Sequence, residues 1–207
     1  VEIAPNSCDC ITTTIVNKDD IRKKFKLPTN KTILIYGGNL GKPQGIPFLL
    51  DCLKANANHE KCHFVVIGNG TEYNRIDTWV NAEKPSSVSL FQSLSKQEYN
   101  ELAIACDVGL IFLDYRFNIP NYPSRLLSYL TNNKPILAAT AVNCDLGYIA
   151  EKNGYGYWVP SNSVSEFNKA LEQIINSDLD AMGKKGYQFY LDNYTIQHTY
   201  NAIMKHF

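Results

Sequence analysis

The sequence predicts an α/β fold, a parallel sheet covered by helices on both faces, on three observations. Short apolar runs alternate with segments of helical period along almost the whole chain. The runs are continuously apolar, as strands buried on both faces must be. Glycine and polar residues follow each run, which gathers them at the carboxyl edge of such a sheet, where ligands of this fold class bind.

Each element has its own signal. Thr32-Ile33-Leu34-Ile35-Tyr36 reads as a strand ending at Gly37-Gly38, and the next helix carries Leu49, Leu50, Leu53 and Ala57 on one face. His63 to Ile67 is a second strand, closed by Gly68-Asn69-Gly70 and followed by a helix over roughly Glu72 to Asn81. Val88 to Phe91 is a third strand. Ser95 with Glu98 forms a Ser-x-x-Glu capping box, opening a helix with Leu102 on its apolar face. Val108 to Leu113 is a strand, a helix starts at Pro123, and Ile136 to Ala139 is again a strand. Tyr157-Trp158-Val159 leads into a helix from Val164 to Ile175, and two helical patterns end at Phe207. The crossovers should be right-handed.

Composition narrows the function. With 207 residues, 44% of them hydrophobic, the chain can bury one good-sized core or two small ones. Twenty basic and twenty acidic side chains cancel, which argues against a long basic surface for duplex nucleic acid. The six cysteines (Cys8, Cys10, Cys52, Cys62, Cys106, Cys144) lie mostly in apolar segments and read as free thiols of a reducing cytoplasm. Cys8-Asp9-Cys10 lacks the second pair that a zinc site needs. No apolar run is long enough to span a bilayer, and no signal peptide is recognised. The chain opens on Val1 and reads as a fragment of a longer protein.

Pro123-Ser124-Arg125 carries the sharpest chemical signal. Cations are disfavoured at the positive end of a helix dipole, so an arginine in a first turn usually has an anion to meet. A planar guanidinium suits a pyrophosphate, although a solvated arginine on a Pro-started helix would look the same. Gly37-Gly38-Asn39-Leu40-Gly41-Lys42-Pro43-Gln44-Gly45 is a glycine-rich strand-to-helix turn that lets backbone approach a phosphate. It is neither a P-loop nor a Gly-x-Gly-x-x-Gly dinucleotide fingerprint. His59-Glu60-Lys61-Cys62-His63 matches the zincin pattern, but the helix ends before it and His63 opens a strand, so the two imidazoles would not share a face. Glu72 reads either as an acid at the site or as a first-turn glutamate favoured by the dipole, and Asp114 either as a site residue or as a turn former. The sequons at Asn30, Asn69 and Asn193 have no secretory context, and no Ser/His/Asp or Cys/His set can be assembled.

Taken together, these residues resemble the C-terminal, donor-binding domain of a GT-B glycosyltransferase of the retaining family 4 type. Pro5-Asn6-Ser7 looks like the linker into that domain, and Gly38-Asn39-Leu40 through Gly45 like its Gly-Arg-Leu…Lys-Gly loop. Val66-Ile67-Gly68-Asn69-Gly70 is similar to its Ile-Gly-x-Gly turn, and Pro123-Ser124-Arg125…Lys134-Pro135-Ile136 to the Pro-Ser-Lys…Gly-Lys-Pro-Val segment of bacterial surface-polysaccharide members. The resemblance implies a single Rossmann-like sheet, the C-terminal half of a GT-B enzyme. Residues 1–30 would be linker, 31–192 the nucleotide-sugar domain and 193–207 a C-terminal helix.

By position, the resemblance implies that Gly38 and Asn39 line the diphosphate or sugar, with Lys42 adding charge from the loop. Arg125, with the amides near Ser124, would hold the pyrophosphate; Gln92 and Ser93 would meet the base; Ser128 would face the ribose. Asn39 and Gln44 stand where the family carries Arg and Lys, and Pro120 and Ser128 where it carries a Glu-x7-Glu pair. The implied reaction moves a sugar from a UDP- or GDP-sugar, UDP favoured, to a lipid-linked or oligosaccharide acceptor in bacterial O-antigen or capsule synthesis. No cofactor and no metal is expected. The acceptor domain would precede this one, so this chain is expected to bind donor and turn over poorly alone, in the cytoplasm or at the inner face of the membrane. The alternatives are a non-catalytic α/β binding module and, more remotely, a sugar-nucleotide epimerase.

Overall fold

In the computed structural model, residues 6–8, 17–116 and 122–207 are described. Six parallel strands, β1 (Thr32–Gly37), β2 (Cys62–Ile67), β3 (Val88–Phe91), β4 (Val108–Phe112), β5 (Ile136–Thr140) and β6 (Gly156–Pro160), form one sheet in the order β3-β2-β1-β4-β5-β6. The helices are α1 (Lys18–Lys24), α2 (Ile46–Ala55), α3 (Tyr73–Glu83), α4 (Lys96–Ala105), α5 (Arg125–Thr131), α6 (Asp145–Lys152), α7 (Val164–Ile175), α8 (Leu179–Asn193) and α9 (Ile196–Met204). This is a single Rossmann-like sheet flanked by helices.

Alternate residues of each strand feed two separate cores, as the pleat requires. Leu34, Tyr36, Phe64, Val66, Leu110 and Phe112 face α2, α3 and α7 through Leu53, Ile76 and Phe167. Ile33, Ile35, Val65, Ile111 and Ala138 face the opposite layer, with Leu102 of α4, Leu126 and Leu130 of α5, Leu146 of α6 and Tyr190 of α8. Both faces being dry explains why the strands read as unbroken apolar runs.

The capping box is formed: Ser95 Oγ accepts from the Glu98 amide at 3.2 Å, and Glu98 Oε2 accepts from the Ser95 amide at 2.9 Å. Three features differ from the sequence reading. α2 ends at Ala55, so Ala57 lies beyond it. α5 starts at Arg125 with Ser124 at its N-cap, and the Ser124 side chain makes no capping bond. α6 is an additional helix between β5 and β6, masked in the sequence by Gly147 near its middle. A side chain there would collide with the Trp158 ring of β6, so packing requires the residue whose propensity argues against the helix.

α1 also went unread in the sequence. Asn17 caps it by accepting from the Asp19 amide, acidic residues fill its first turn and basic residues its last. It docks on α4 through Arg22, whose Nε donates to the Ala105 carbonyl at 2.9 Å. α9 buries no side chain and exposes Ile196, Tyr200, Ile203 and Met204. Among the described residues, no helix is long and apolar enough to cross a membrane.

Candidate functional site

In the order β3-β2-β1-β4-β5-β6 the chain reverses its direction of sheet growth between β1 and β4. In sheets of this class the loops leaving two such strands part, and the crevice between them at the carboxyl edge is where ligands bind. The β1 loop and the segment entering α5 from β4 are the parts of the sequence that carry Gly38, Asn39, Lys42, Ser124 and Arg125. They are tied together by the Asp114 amide, which donates to the Pro43 carbonyl at 2.9 Å.

The floor of the crevice is backbone. The ladder runs past the strand ends, with the Gly38 amide donating to the Ile67 carbonyl at 2.9 Å and the Gly68 amide to the Phe91 carbonyl at 3.0 Å. Leu40 N–H donates to the Asn69 carbonyl at 2.8 Å, and Glu72 N–H to the Leu40 carbonyl at 2.9 Å. A Cβ on Gly68 would run into the Gly38 carbonyl, which is why the second strand must end in glycine.

Arg125 stands over this floor. A Cβ on Gly38 would lie 3.1 Å from its Nη2, so the exposed Gly38 is open to the guanidinium. Its guanidinium carbon sits 4.4 Å from the centroid of the Tyr36 ring. Tyr129, one turn along α5, fixes the helix to the sheet: its hydroxyl lies 3.0 Å from the Ile35 carbonyl and 3.4 Å from the Gly37 amide. Tyr99 of α4 covers Gly37, leaving no room for a side chain there. Burial raises the pKa of Tyr36, Tyr99 and Tyr129, so all three hydroxyls stay neutral and none cancels the arginine.

The four arginines of the sequence divide cleanly. Arg22 pairs with Asp107 at 2.7 Å, Arg75 with Glu72 at 3.0 Å and Arg116 with Asp114 at 2.8 Å. Arg125 pairs with no carboxylate among the described residues, and its enclosed Nη1 has no hydrogen-bond partner. Enclosed charges are normally paired with a carboxylate, whereas this one rests against the Tyr36 ring.

The remaining sequence candidates are distributed along the same edge. Asn39 is exposed and its Nδ2 donates to Gln44 Oε1 at 3.3 Å, while its carbonyl accepts from the Tyr36 hydroxyl at 2.8 Å. Lys42 is exposed and opens a single 3-10 turn, Lys42–Gln44. Gln92 and Ser93 are exposed just past β3, the outer strand. Ser124 is exposed ahead of α5, and the half-buried Ser128 faces Tyr99. Pro120 lies outside the described residues, as do Pro5 and Cys10. The tyrosines escaped the sequence reading. Tyr36 before Gly37-Gly38 and Tyr129 at i+4 from Arg125 were visible signals, whereas Tyr99 comes from a distant helix with none.

Other candidates resolve as structure. Glu72 sits at the N-cap of α3 and is held by Arg75. Asp114 accepts from the Arg116 amide at 2.9 Å, a turn closed by its own arginine, which holds its carboxyl below the usual range. His59 lies in the loop after α2, with its Nδ1 accepting from the Lys61 and Cys62 amides, while His63 is in β2 and meets Ser89. Cys52, Cys62 and Cys106 are buried free thiols, and burial raises the pKa of each. No metal-capable cluster of His, Cys, Asp and Glu occurs among the described residues.

Comparison with known proteins matches this chain to one family. The profile of the family described as glycosyl transferases group 1 aligns with residues 17–189. The chain belongs to that family. It is 27% identical over 153 residues to the probable glycosyltransferase WbjE of Pseudomonas aeruginosa, covering 74% of this chain and 38% of that protein. The chain thus spans well under half the length of this relative. Among solved structures, it superposes on a glycosyltransferase from Rickettsia africae ESF-5 with a TM-score of 0.74 at 14% identity, covering 94% of this chain and 52% of the other. The C-terminal domain of LpcC, a group 1 family protein from Francisella tularensis, gives 0.67 at 17% identity, with 87% and 94% covered. The fold of this group 1 family chain is therefore that of one domain of a GT-B glycosyltransferase, and the chain is homologous to bacterial glycosyltransferases.

Proposed function

We propose that this chain is the donor-binding, C-terminal half of a retaining glycosyltransferase that moves a sugar from UDP or GDP to a lipid-linked or oligosaccharide acceptor in bacterial polysaccharide synthesis. The observation that carries the reading is Arg125, the one arginine without a carboxylate partner among the described residues, poised over Gly38 at the sheet switch point. Its fork suits the diphosphate. From the end of β1, which Gly38 follows, to the end of the outer β3, which Gln92 and Ser93 follow, is two strand spacings, about 10 Å. That span suits a nucleoside diphosphate with its base toward Gln92 and Ser93, its ribose near Ser128, and its phosphates at Gly38, Asn39, Lys42 and Arg125, beside Ser124. The match of 94% of a separately solved C-terminal domain supports the choice of half.

In this reading the chain's contribution to catalysis is electrostatic. As the bond to the anomeric carbon breaks, negative charge grows on the leaving diphosphate, and a preorganised guanidinium stabilises it without reorganising. Glu72 and Asp114 each pair with an arginine other than Arg125. The acceptor and its positioning groups belong to the part of the enzyme that precedes this chain. The loss of the Glu-x7-Glu pair, with Pro120 and Ser128 in its place, favours, as a second reading, a non-catalytic ligand-binding module.

Calorimetric titration with UDP, GDP, ADP and NAD tests the proposal. Selective binding of UDP or GDP is expected. Preference for ADP or NAD, or no binding by folded protein, overturns it. Sugar transfer by the full-length enzyme, absent in its Arg125→Ala form, separates the first reading from the second.

A further inference from the structure

We propose that Tyr36 is the positioning residue of this site, holding the Arg125 guanidinium on its ring and the β1 loop on its hydroxyl. The proposal rests on the donor-site reading for its consequence, though not for its geometry. Tyr36 is the last side chain of β1 before the double glycine, and it is fully buried. Burial of a tyrosine at the rim of a ligand crevice needs a reason, and its two ends supply one. The ring meets the guanidinium carbon of Arg125 at 4.4 Å to the centroid. The hydroxyl donates to the Asn39 carbonyl at 2.8 Å. One side chain thus touches both elements that border the crevice, α5 and the β1 loop.

The ring is itself packed in place. It packs edge-on against Phe112 of β4, with centroids 6.3 Å apart and planes at 70°, and Phe112 in turn packs on Phe48 and Phe167. A guanidinium resting on that ring inherits its rigidity. A carboxylate in the same place would also hold the arginine, but it would cancel the charge that a diphosphate needs. The face of a neutral aromatic ring attracts a cation while leaving its charge available. Support by tyrosine rather than by Asp or Glu is the arrangement a site that binds anions requires.

The test uses Tyr36→Leu, which removes ring and hydroxyl, and Tyr36→Phe, which keeps the ring. Each is made alone and with Arg125→Ala, and UDP and GDP affinities are read by NMR titration, which reaches weak binding. Tyr36→Leu should weaken nucleotide binding about fivefold to thirtyfold, the range of a partly desolvated cation–π contact. Tyr36→Phe should recover most of that loss. With Arg125→Ala present, Tyr36→Leu should add no more than about twofold, because the ring then has no guanidinium to position and only the hydroxyl's hold on the β1 loop is left to lose. Additive losses would overturn the proposal.

An independent readout needs no nucleotide. With only four arginines in the chain, the Nε–H resonance of Arg125 can be assigned by substitution. It should be protected from solvent exchange in the wild type and in Tyr36→Phe, and lose that protection in Tyr36→Leu. An unchanged Arg125 signal in a folded Tyr36→Leu protein would overturn the positioning role. If the wild type binds neither UDP nor GDP, the donor reading fails and this signal alone decides Tyr36.

Discussion

Gly68 packs so closely beneath the carbonyl of Gly38 that a single methyl group cannot be placed between them. The contact joins the loops that leave the neighbouring strands β1 and β2, on one side of the switch point. Gly68 also has φ +156, backbone that side chains rarely adopt. Gly68→Ala must push the β1 loop away from the β2 loop, and neither neighbour is a flexible side chain that could yield. We expect a loss of about 2–3 kcal/mol, a strain cost of the usual size. For a chain of 207 residues this is a fall in Tm of roughly 5–10 °C. Calorimetric scans check it, and nucleotide affinity should fall with it because Gly38 moves.

Arg125 separates binding from stability in opposite directions. Replacing it with methionine removes an enclosed charge whose Nη1 has no hydrogen-bond partner. Such groups cost stability, and the Tyr36 contact offsets part of that cost, so the ligand-free protein should gain less than about 1 kcal/mol. Nucleotide binding should weaken by about 1.5–3 kcal/mol, roughly tenfold to 150-fold, the value of a charge-assisted contact. Arg125→Lys keeps the charge but loses the fork and should fall in between. Denaturant melts paired with titrations check this; a variant that is both less stable and fully able to bind would show that Arg125 is structural.

The sequence carried the sheet well because the physics that makes these strands also makes their pattern. Val65, Ile111 and Ala138 are buried against one helical layer and their neighbours Val66, Leu110 and Ala139 against the other, so their strands read as apolar throughout. The Ser95–Glu98 box was legible because capping is local in sequence. α6 was not, because Gly147 is dictated by Trp158 across the layer, a relation that no local pattern records. The site divides in the same way. Arg125 announced itself by an unusual position in a helix, but that Arg22, Arg75 and Arg116 each have a carboxylate while it has none is a fact of three dimensions.

Arg22 shows what a paired arginine does. It is 6% exposed, donates to the Ala105 carbonyl and pairs with Asp107, whose Oδ2 also accepts from the Ile33 amide at 2.9 Å. It thereby joins α1, the end of α4 and the starts of β1 and β4, at the edge of the sheet opposite the crevice. Breaking a buried pair typically costs about 3–5 kcal/mol, but Asp107 keeps the Ile33 amide and some solvent, so about 2–3 kcal/mol is expected for Arg22→Met. Nucleotide affinity of the folded protein should not change. Urea melts and titration of the same sample test both halves of this statement.

His63 sets an acid limit on the fold. Burial lowers its pKa to about 4, with the nearby Lys31 pushing in the same direction. Its Nε2 meets Ser89 Oγ at 2.9 Å, and its enclosed Nδ1 has no hydrogen-bond partner. The neutral ring is therefore the form the native state holds, whereas in the unfolded chain the ring protonates near pH 6.5. Between those two values the unfolded state binds more protons, so stability rises with pH across the window and is lost as pH falls from about 6.5 to about 4. Full separation of the two values would give about 3 kcal/mol, and partial solvent access reduces this to roughly 2 kcal/mol. His63→Phe removes the titrating group and fills the same slot beside Val65. Its stability should change less with pH than that of the wild type over this window, and the two pH profiles should run parallel only above pH 7. Parallel profiles through the whole range would mean that His63 is as free to protonate in the native protein as in the unfolded chain.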